Sequence, residues 1–326
     1  MIAADRQARA TRAPRDTRPT PIVPVSVATA AMGGRLVVHL AAASEERRAR
    51  HDAERVLSRM IRWADRLSRH LDTSELSALN ADPRTAVTVG PTLGAVLCAG
   101  LDAGQESGGL VDIALLDARL AAEGLADGPP AGTAPRDWSI ARGPRRTAVV
   151  HRAPGVRFDL GGVGKGWIAD RAVEMLAVWP SAVIDADGDL AIRCAPGRCW
   201  DVGVGDPRSP DADLAVLRLS APAGGYPTRW GVATSGVSIH RWQVNGTLRH
   251  HLIDPRTRRP AVTDVVQATV VAGSALRAEA LAKAAVIAGT VEGFALLERA
   301  RVLGAVILTD SGATLALACT LPLLAG

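Results

Sequence analysis

The chain has 326 residues, of which 48% are hydrophobic and 22% are charged. A chain of this length and composition can bury a large core without disulfides or a structural metal. Its net charge of +5 comes from scattered arginines, and the densest basic stretch lies in residues 1–18. This distribution disfavours a nucleic-acid-binding protein, which would need a clustered basic face, and is equally compatible with a small phosphate-bearing ligand.

Cysteine usage and apolar run lengths bear on the cellular compartment. No CxxC pair occurs, so neither a zinc knuckle nor a redox dithiol is indicated, and a reducing compartment is the simpler assumption. Residues 1–25 predict a disordered Arg-rich arm, followed by a single domain over 26–326. No segment has the apolar run of a secretory signal or a membrane span, so we expect a cytoplasmic protein without membrane insertion. The four cysteines are Cys98, Cys194, Cys199 and Cys319.

Hydrophobic periodicity predicts the elements of the first half in chain order. A strand is expected at 35–43, followed by a helix at 44–71 with Ser44 near its N-cap. A loop through Asn80 then leads to a second helix at 93–107. The first third is therefore predicted as one strand and two helices.

The second half begins with a segment rich in Gly, Pro and Ala, after which the periodicity becomes sharper. Strands alternate irregularly with helices, which favours an α+β fold over a doubly wound sheet. The expected features are a surface connection over 119–152 that ends in a hairpin, a helix at 165–178, strands at 182–185 and 265–272, a helix at 276–288 and a hairpin at 310–312.

Residues 159–166 (DLGGVGKG) form a glycine-rich turn that leads directly into a predicted helix. Free backbone N–H groups and the helix dipole attract phosphate at such a position, and Lys165 would add a positive charge. The turn is not a Walker A loop, because Gly166 stands where a Ser or Thr would bind magnesium, and it lacks the dinucleotide fingerprint. By itself it is equally consistent with glycines that only allow close helix packing.

This turn resembles the DLGGIAKG turn of the ApbE-like family of FAD:protein FMN transferases. Seven further segments resemble motifs of that family, in the family's order, between residues 32 and 316. They are MG at 32–33, SRHLDTSELSALN at 68–80, GGLVD at 108–112, DGD at 187–189, VATSG at 232–236, HLIDP at 251–255 and AEALAK at 278–283.

The resemblance implies a fold and an activity. The fold would be α+β, with two intimately packed lobes of mixed β-sheets and flanking helices, and with FAD bound in the cleft between them. The activity would be magnesium-dependent cleavage of the FAD diphosphate, with transfer of FMN to a threonine hydroxyl of an acceptor protein and release of AMP. A second hypothesis is a non-catalytic FAD-binding protein of the same fold, acting as a carrier or a sensor.

The resemblance also assigns catalytic roles. His251 matches the family's catalytic histidine, and an imidazole suits proton removal near neutral pH. Asp254 would orient His251, and Lys283 would handle charge at the diphosphate. The alternative for His251 is a strand-end histidine whose ring is satisfied by Asp254 or by a backbone carbonyl.

The FAD-binding positions implied by the resemblance lie in five segments. His70 takes the place of an aromatic side chain that stacks on the flavin, and residues 110–112 lie at the adenine end. Asp112 could instead be a helix N-cap, and the hydroxyls of the VATSG segment could be an ordinary turn between strands. The full set is Met32, His70, Leu110, Val111, Asp112, Gly162, Lys165, Thr234, Ser235 and Gly236.

The metal positions depart from the family pattern. Gly164 replaces an alanine whose backbone carbonyl helps to hold magnesium, and Glu279 and Lys283 replace an Asp and a Thr. Glutamate can bind magnesium through oxygen, whereas a charged lysine offers only donors. Either the Lys283 ammonium takes the cation's place, or Glu279 and Lys283 form an i,i+4 pair on an inert helix.

Overall fold

The computed structural model describes residues 20–21, 24–42, 45–126, 137–318 and 323–324. Most of the predicted arm, the expected cap Ser44, and Cys319 lie outside these residues. No helix in the described part of the chain is long and apolar enough to cross a membrane. The expected cytoplasmic location stays a prediction.

Seven α-helices occur within the described residues. They are α1 (Glu46–Leu67), α2 (Glu75–Ala81), α3 (Pro91–Glu106), α4 (Leu116–Ala122), α5 (Gly164–Glu174), α6 (Ala275–Ala288) and α7 (Thr290–Arg299).

The strands are numbered in chain order. They are β1 (Thr20–Pro21), β2 (Val25–Ala31), β3 (Gly34–Leu40), β4 (Ala86–Val89), β5 (Trp138–Arg142), β6 (Ala148–Arg152), β7 (Ala182–Ala186), β8 (Asp189–Cys194), β9 (Arg198–Asp206), β10 (Ser209–Ser220), β11 (Thr228–Gly236), β12 (Arg241–Val244), β13 (Thr247–His250), β14 (Ile253–Asp254), β15 (Arg259–Pro260), β16 (Val265–Ala272), β17 (Gly304–Thr309), β18 (Thr314–Ala318) and β19 (Leu323–Leu324).

An eight-stranded antiparallel sheet forms the centre of the molecule, in the order β18-β17-β16-β11-β8-β7-β3-β2. Helices α1, α5 and α6 pack on one face of this sheet, and the β9–β10 ribbon covers part of the other. Because successive side chains along a strand point to opposite faces of the sheet, each strand contributes residues to the core on both sides. In β7, Ile184 joins the core under the helices, whereas Val183 joins the cluster under the ribbon.

These elements confirm the α+β class and both predicted hairpins, β5–β6 and β17–β18. Two other predictions are wrong. The loop expected around Asn80 contains α2, because Ser74 accepts a hydrogen bond from the Ser77 N–H at 2.9 Å and begins a helix there. Helix α4 lies inside the expected surface connection. Within the predicted arm, Thr20–Pro21 pairs in parallel with β9, and the disorder of the arm stays a prediction.

The N-terminal ends of α5 and α6 contact each other without any side chain between them. A Cβ at Gly166 would lie 2.6 Å from the backbone nitrogen of Leu276. The helices also exchange carboxylate caps. Asp170 of α5 accepts hydrogen bonds from the Ala275 and Leu276 N–H groups at 2.9 and 3.0 Å, and Glu279 of α6 accepts one from the Gly166 N–H at 2.8 Å.

We expect Gly166→Ala to lower the free energy of unfolding by about 1–3 kcal/mol, because the added methyl overlaps the α6 backbone. Gly273→Ala is the matched control, since a Cβ at Gly273 meets nothing within 4 Å. It should change the free energy of unfolding by less than about 1 kcal/mol. Urea unfolding curves measure both. Equal stabilities of the two variants would contradict the proposed close contact.

Candidate active site

The glycine-rich turn keeps backbone donors available. Asp159 Oδ1 accepts the Gly161 N–H at 3.0 Å, and the Leu160 carbonyl accepts the N–H groups of Val163 and Gly164. Within the described residues, the N–H groups of Gly162 and Lys165 donate to no protein acceptor. They stand at the N-terminal end of α5, where an anion is favoured.

Lys283 of α6 lies directly against this turn. Its Nζ donates to the Gly161 carbonyl oxygen at 2.9 Å. Gly162 has a φ of +120°, and a Cβ at that position would lie 2.8 Å from Nζ. Gly162 is therefore required both by its backbone conformation and by the space that the lysine occupies. Gly166 therefore serves helix packing and Gly162 makes room for Lys283, whereas phosphate binding by the turn stays a prediction.

Burial affects both α6 residues that face the turn. It lowers the pKa of Lys283, although the nearby carboxylates of Asp159 and Glu279 act in the opposite direction. Burial, together with the charge of Asp189, raises the pKa of Glu279 to about 8. The Glu279 side chain is therefore substantially protonated near neutral pH, which makes it a poor ligand for a hard cation.

The raised pKa of Glu279 predicts a pH dependence of stability. The native state holds this proton more tightly, since the pKa is about 8 instead of the ordinary 4.5. The stabilisation is complete below about pH 4.5 and is lost as the pH rises through about 8. Between these values, the free energy of unfolding should fall more steeply for the natural protein than for Glu279→Gln, by up to about 1.4 kcal/mol per pH unit. Parallel profiles from urea unfolding at several pH values would contradict this expectation.

The contacts of Lys165 differ from the phosphate contact that was predicted for it. Its Nζ lies 3.1 Å from Asp189 Oδ2 and donates to the Asp187 carbonyl at 3.3 Å. Burial opposes its charge, but Asp189 and Glu279 outweigh burial and raise the pKa of Lys165. The charge expected to bind phosphate is therefore paired inside the protein, and it holds the β7–β8 turn against α5.

Asn80 fixes the segment that precedes the turn. Its side-chain Nδ2 donates to the Phe158 carbonyl at 2.8 Å, and its Oδ1 accepts the Phe158 N–H at 2.7 Å. This reciprocal pair joins the last turn of α2 to the residue before Asp159. The motif at 68–80 contains this residue, but nothing in the motif indicates a partner 78 positions away.

We expect Asn80→Asp to lower the free energy of unfolding by about 1–3 kcal/mol, because the variant still accepts the Phe158 N–H but no longer donates to its carbonyl. Asp72→Asn, an exposed change in the same segment, should stay within about 0.5 kcal/mol. Chemical denaturation of the three proteins is the measurement. A loss in Asp72→Asn as large as that in Asn80→Asp would show that the hydrogen-bonded pair is not the cause.

A nearly buried cluster of charges borders the turn. Arg69 Nη2 and Arg119 Nε both donate to Glu123 Oε1, at 2.5 and 2.7 Å, and Arg69 Nε lies 3.8 Å from Asp159 Oδ1. The Arg119 guanidinium also stacks 4.8 Å from the ring centre of Trp242 on β12. No sequence motif indicates this cluster, whose four charged members come from three separate segments.

The GGLVD segment passes between the two main apolar clusters, and Leu110 packs against both. Val111 is buried, and its N–H donates to Ser107 Oγ at 2.9 Å. Asp112 Oδ1 accepts the Ala114 N–H at 2.9 Å, so Asp112 closes a short turn. It is not a helix N-cap, because α4 begins four residues later. Its charge is close enough to act on Lys283.

The two adjacent histidines have different surroundings. His250 is used structurally: its Nε2 donates to the Ala261 carbonyl at 3.0 Å, and its Nδ1 accepts the Leu252 N–H at 3.2 Å. His251 is half-buried, and its Nδ1 has no hydrogen-bond partner within the described residues. The His251 ring stacks edge-on against His240 at 5.3 Å. His251 therefore differs from a satisfied strand-end histidine, because its buried Nδ1 is left without a hydrogen-bond partner among the described residues.

Asp254 does not orient His251. Its carboxylate accepts three side-chain hydrogen bonds from Arg256, at 3.0 to 3.1 Å, and the Arg256 N–H at 2.8 Å. The predicted partnership is wrong because the turn after β14 supplies an arginine two residues away. Asp254 stabilises this turn instead.

Thr234 faces away from the glycine turn. Its neighbour Ala233 packs against Ala278 of α6, so Thr234 lies on the opposite face of β11. There its hydroxyl bonds to Thr269 Oγ1 at 2.8 Å and lines a cavity of about 750 Å³ under the β9–β10 ribbon. The Thr234 hydroxyl is therefore not part of the site at the glycine turn, and its contact with the diphosphate stays a prediction without structural support.

The predicted contacts of Ser235, Gly236 and His70 with FAD stay predictions. Ser235 shares the α6 side of β11 with Ala233, and Gly236 packs closely on β16. His70 lies beside Arg69, and burial lowers the pKa of its ring.

Met32 occupies the exposed β2–β3 turn with a φ of +59°. The backbone of the adjoining β3 bonds to Asp187, so this turn lies next to the β7–β8 turn that Lys165 holds. The predicted contact of Met32 with FAD stays a prediction.

An α+β fold that sets a glycine-rich helix end against a half-buried lysine defines a protein suited to a phosphate-bearing ligand. Residues 32–307 match the ApbE family, and the chain belongs to this family. The FAD:protein FMN transferase of Treponema pallidum is 29% identical over 259 residues, which cover 71% of this chain and 69% of that protein. The Salmonella typhimurium protein of the same name is 30% identical over 141 residues, or 42% and 38%.

Solved structures share the fold. The apo flavinyl transferase ApbE of Pseudomonas stutzeri aligns with a TM-score of 0.71 at 21% identity, covering 90% of this chain and 94% of that one. The ApbE protein of Thermotoga maritima gives a TM-score of 0.74 at 24% identity, with 90% and 96% covered. These likenesses confirm the predicted ApbE-like architecture.

Proposed function

We propose that the protein cleaves the FAD diphosphate and attaches FMN to a threonine of an acceptor protein. The relatives that carry this activity in their names support the reaction class. The observation that carries the proposal in this chain is the partnerless Nδ1 of His251, in a segment that also packs against α6. Leu252, the next residue, shares an apolar cluster with Leu281 and Ala282, which immediately precede Lys283.

The reaction places a demand on each part of the site. The free N–H groups of Gly162 and Lys165 bind diphosphate oxygens at the N-terminal end of α5. His251 takes the proton of the threonine hydroxyl, whose oxygen attacks the phosphorus on the riboflavin side. The bond from that phosphorus to the bridging oxygen breaks, and AMP leaves. No divalent metal is assigned to this step, because the residues at the expected ligand positions do not fit one.

A second candidate is an FAD-binding protein without turnover. The observation that favours it is Lys283 at a position where the resemblance implies a metal ligand. Both candidates share the binding half of the site, and only transfer separates them.

We expect His251→Ala to slow FMN transfer by about 10²- to 10⁴-fold, the usual contribution of a general base, and to leave FAD affinity within about twofold. Incubation with FAD and an acceptor domain that carries a threonine, read by in-gel flavin fluorescence and intact mass, measures transfer. His151→Ala, an exposed histidine on β6, is the matched control and should transfer like the natural protein. Tight FAD binding with no transfer to several acceptors would favour the second candidate, and no FAD binding would overturn both.

A further inference from the structure

The residues at the expected metal positions do not fit Mg²⁺. This ion requires octahedral oxygen ligands, and it is repelled by an ammonium. Lys283 places its Nζ at the Gly161 carbonyl, and Glu279 Oε2 already accepts the Gly166 N–H. Within the described residues, no group of three or more His, Cys, Asp or Glu side chains is arranged to hold a metal. The chain thus places the Lys283 ammonium where a magnesium ion would need oxygen ligands.

Lys283 and Glu279 do not form the i,i+4 pair that the sequence left open. Each contacts a different residue of the glycine turn, Gly161 in one case and Gly166 in the other. The lysine is therefore held by the turn and is not neutralised by the neighbouring carboxylate. Lys283 lies four residues after Glu279 on α6, so both side chains are on the same face of the helix and point toward the glycine-rich turn.

The neighbouring basic side chains are already paired. Lys165 pairs with Asp189, and Arg69 and Arg119 share Glu123. Lys283 is in no ion pair with any described residue, and its only hydrogen bond is to a neutral carbonyl. Among these four, it is the cation that can serve an incoming anion without breaking an existing pair.

Lysine itself is unusual in this chain. Lys165 and Lys283 are its two lysines, and arginine is used at every other Lys or Arg position. Both lysines lie at the glycine turn. A compact ammonium fits beside Gly162, where Nζ is 2.8 Å from the place of a Cβ, whereas a planar guanidinium is larger and would need a different space.

We propose that the Lys283 ammonium takes the place of the divalent cation, so that this protein binds the FAD diphosphate, and acts on it, without Mg²⁺. The Lys283 ammonium has three N–H donors. It can therefore donate to phosphate oxygens whether its hydrogen bond to the Gly161 carbonyl is kept or broken. The part of the proposal that concerns turnover rests on the proposed function. The part that concerns binding does not.

FAD binding provides the first test. Quenching of flavin fluorescence should give the same FAD affinity, within about twofold, in EDTA and in millimolar Mg²⁺. Lys283→Gln should weaken FAD binding at least tenfold, and Mg²⁺ should not restore it. Arg171→Gln, an exposed change on α5, is the matched control and should bind FAD like the natural protein. A requirement for Mg²⁺ in the natural protein, or undiminished binding by folded Lys283→Gln, would overturn the proposal.

Metal binding provides a second, independent readout. Electron paramagnetic resonance of Mn²⁺ should show no protein-bound ion in the FAD complex beyond that bound by free FAD. The double variant Glu279→Asp with Lys283→Thr installs oxygen ligands in place of the ammonium, and it should bind Mn²⁺ and acquire a metal requirement for FAD. A bound Mn²⁺ in the natural protein would overturn the proposal whether or not the double variant folds.

The two proposals fail separately. Transfer that occurs only with Mg²⁺ would leave the FMN transferase activity standing and reject the role of Lys283. FAD binding that is independent of Mg²⁺ and dependent on Lys283, but without transfer, would reject the activity and support the role.

Discussion

The structure depends on one contact, the approach of the N-terminal ends of α5 and α6. Gly166 brings the backbones together, and Asp170 and Glu279 cap each other's helix. Each cap satisfies backbone N–H groups that would otherwise be buried without a partner. The same contact fixes the distance from Lys283 to the glycine-rich turn. Lys283 follows Glu279 by four residues on α6, and the glycine-rich turn ends at Gly166 on α5. Stability and ligand binding are therefore set by the same few atoms.

Glu279 illustrates how these demands conflict. A carboxylate that caps α5 must be buried, and burial raises its pKa because the charged form loses its hydration. A magnesium ligand must instead be ionised at neutral pH. The structural use of Glu279 thus weakens it as a ligand, and the proposed role of Lys283 places a positive charge at the same turn. The departures at these two positions are physically consistent with each other.

The glycine turn and the helix that follows it could be predicted from local spacing, and the resemblance to the family motifs indicated Glu279 and Lys283. The roles of single side chains could not be predicted even within one motif, since Lys165 is paired with Asp189. Thr234 could not be placed, because a single step along a strand reverses the face, and the sequence alone does not show which face meets α6. Asp254 was misassigned because its nearest strong donor, Arg256, lies on a turn whose conformation the sequence leaves open.

The cluster of Arg69, Arg119, Glu123 and Asp159 shows the other limit. Its hydrogen-bonded pairs, Arg119–Glu123 and Arg69–Glu123, are 4 and 54 residues apart along the chain. None of the four residues belongs to a periodic pattern. Only the packing of α4 beside the segment after α1 brings them together. Fold class can thus be predicted from patterning, whereas charge pairing requires the tertiary structure. This matters for function, because pairing decides which cation is available to a ligand.

A cation that is part of the chain behaves differently from a bound ion. Its occupancy does not depend on the concentration of Mg²⁺, and it needs no ordered set of ligands. It carries one positive charge where the ion carries two, and it cannot polarise an oxygen as a Lewis acid. The remaining neutralisation of the diphosphate must come from the N-terminal end of α5 and its free N–H groups. In the proposed site, close packing of α5 against α6 is a condition for chemistry, because it directs those donors and the ammonium toward one place at the glycine turn.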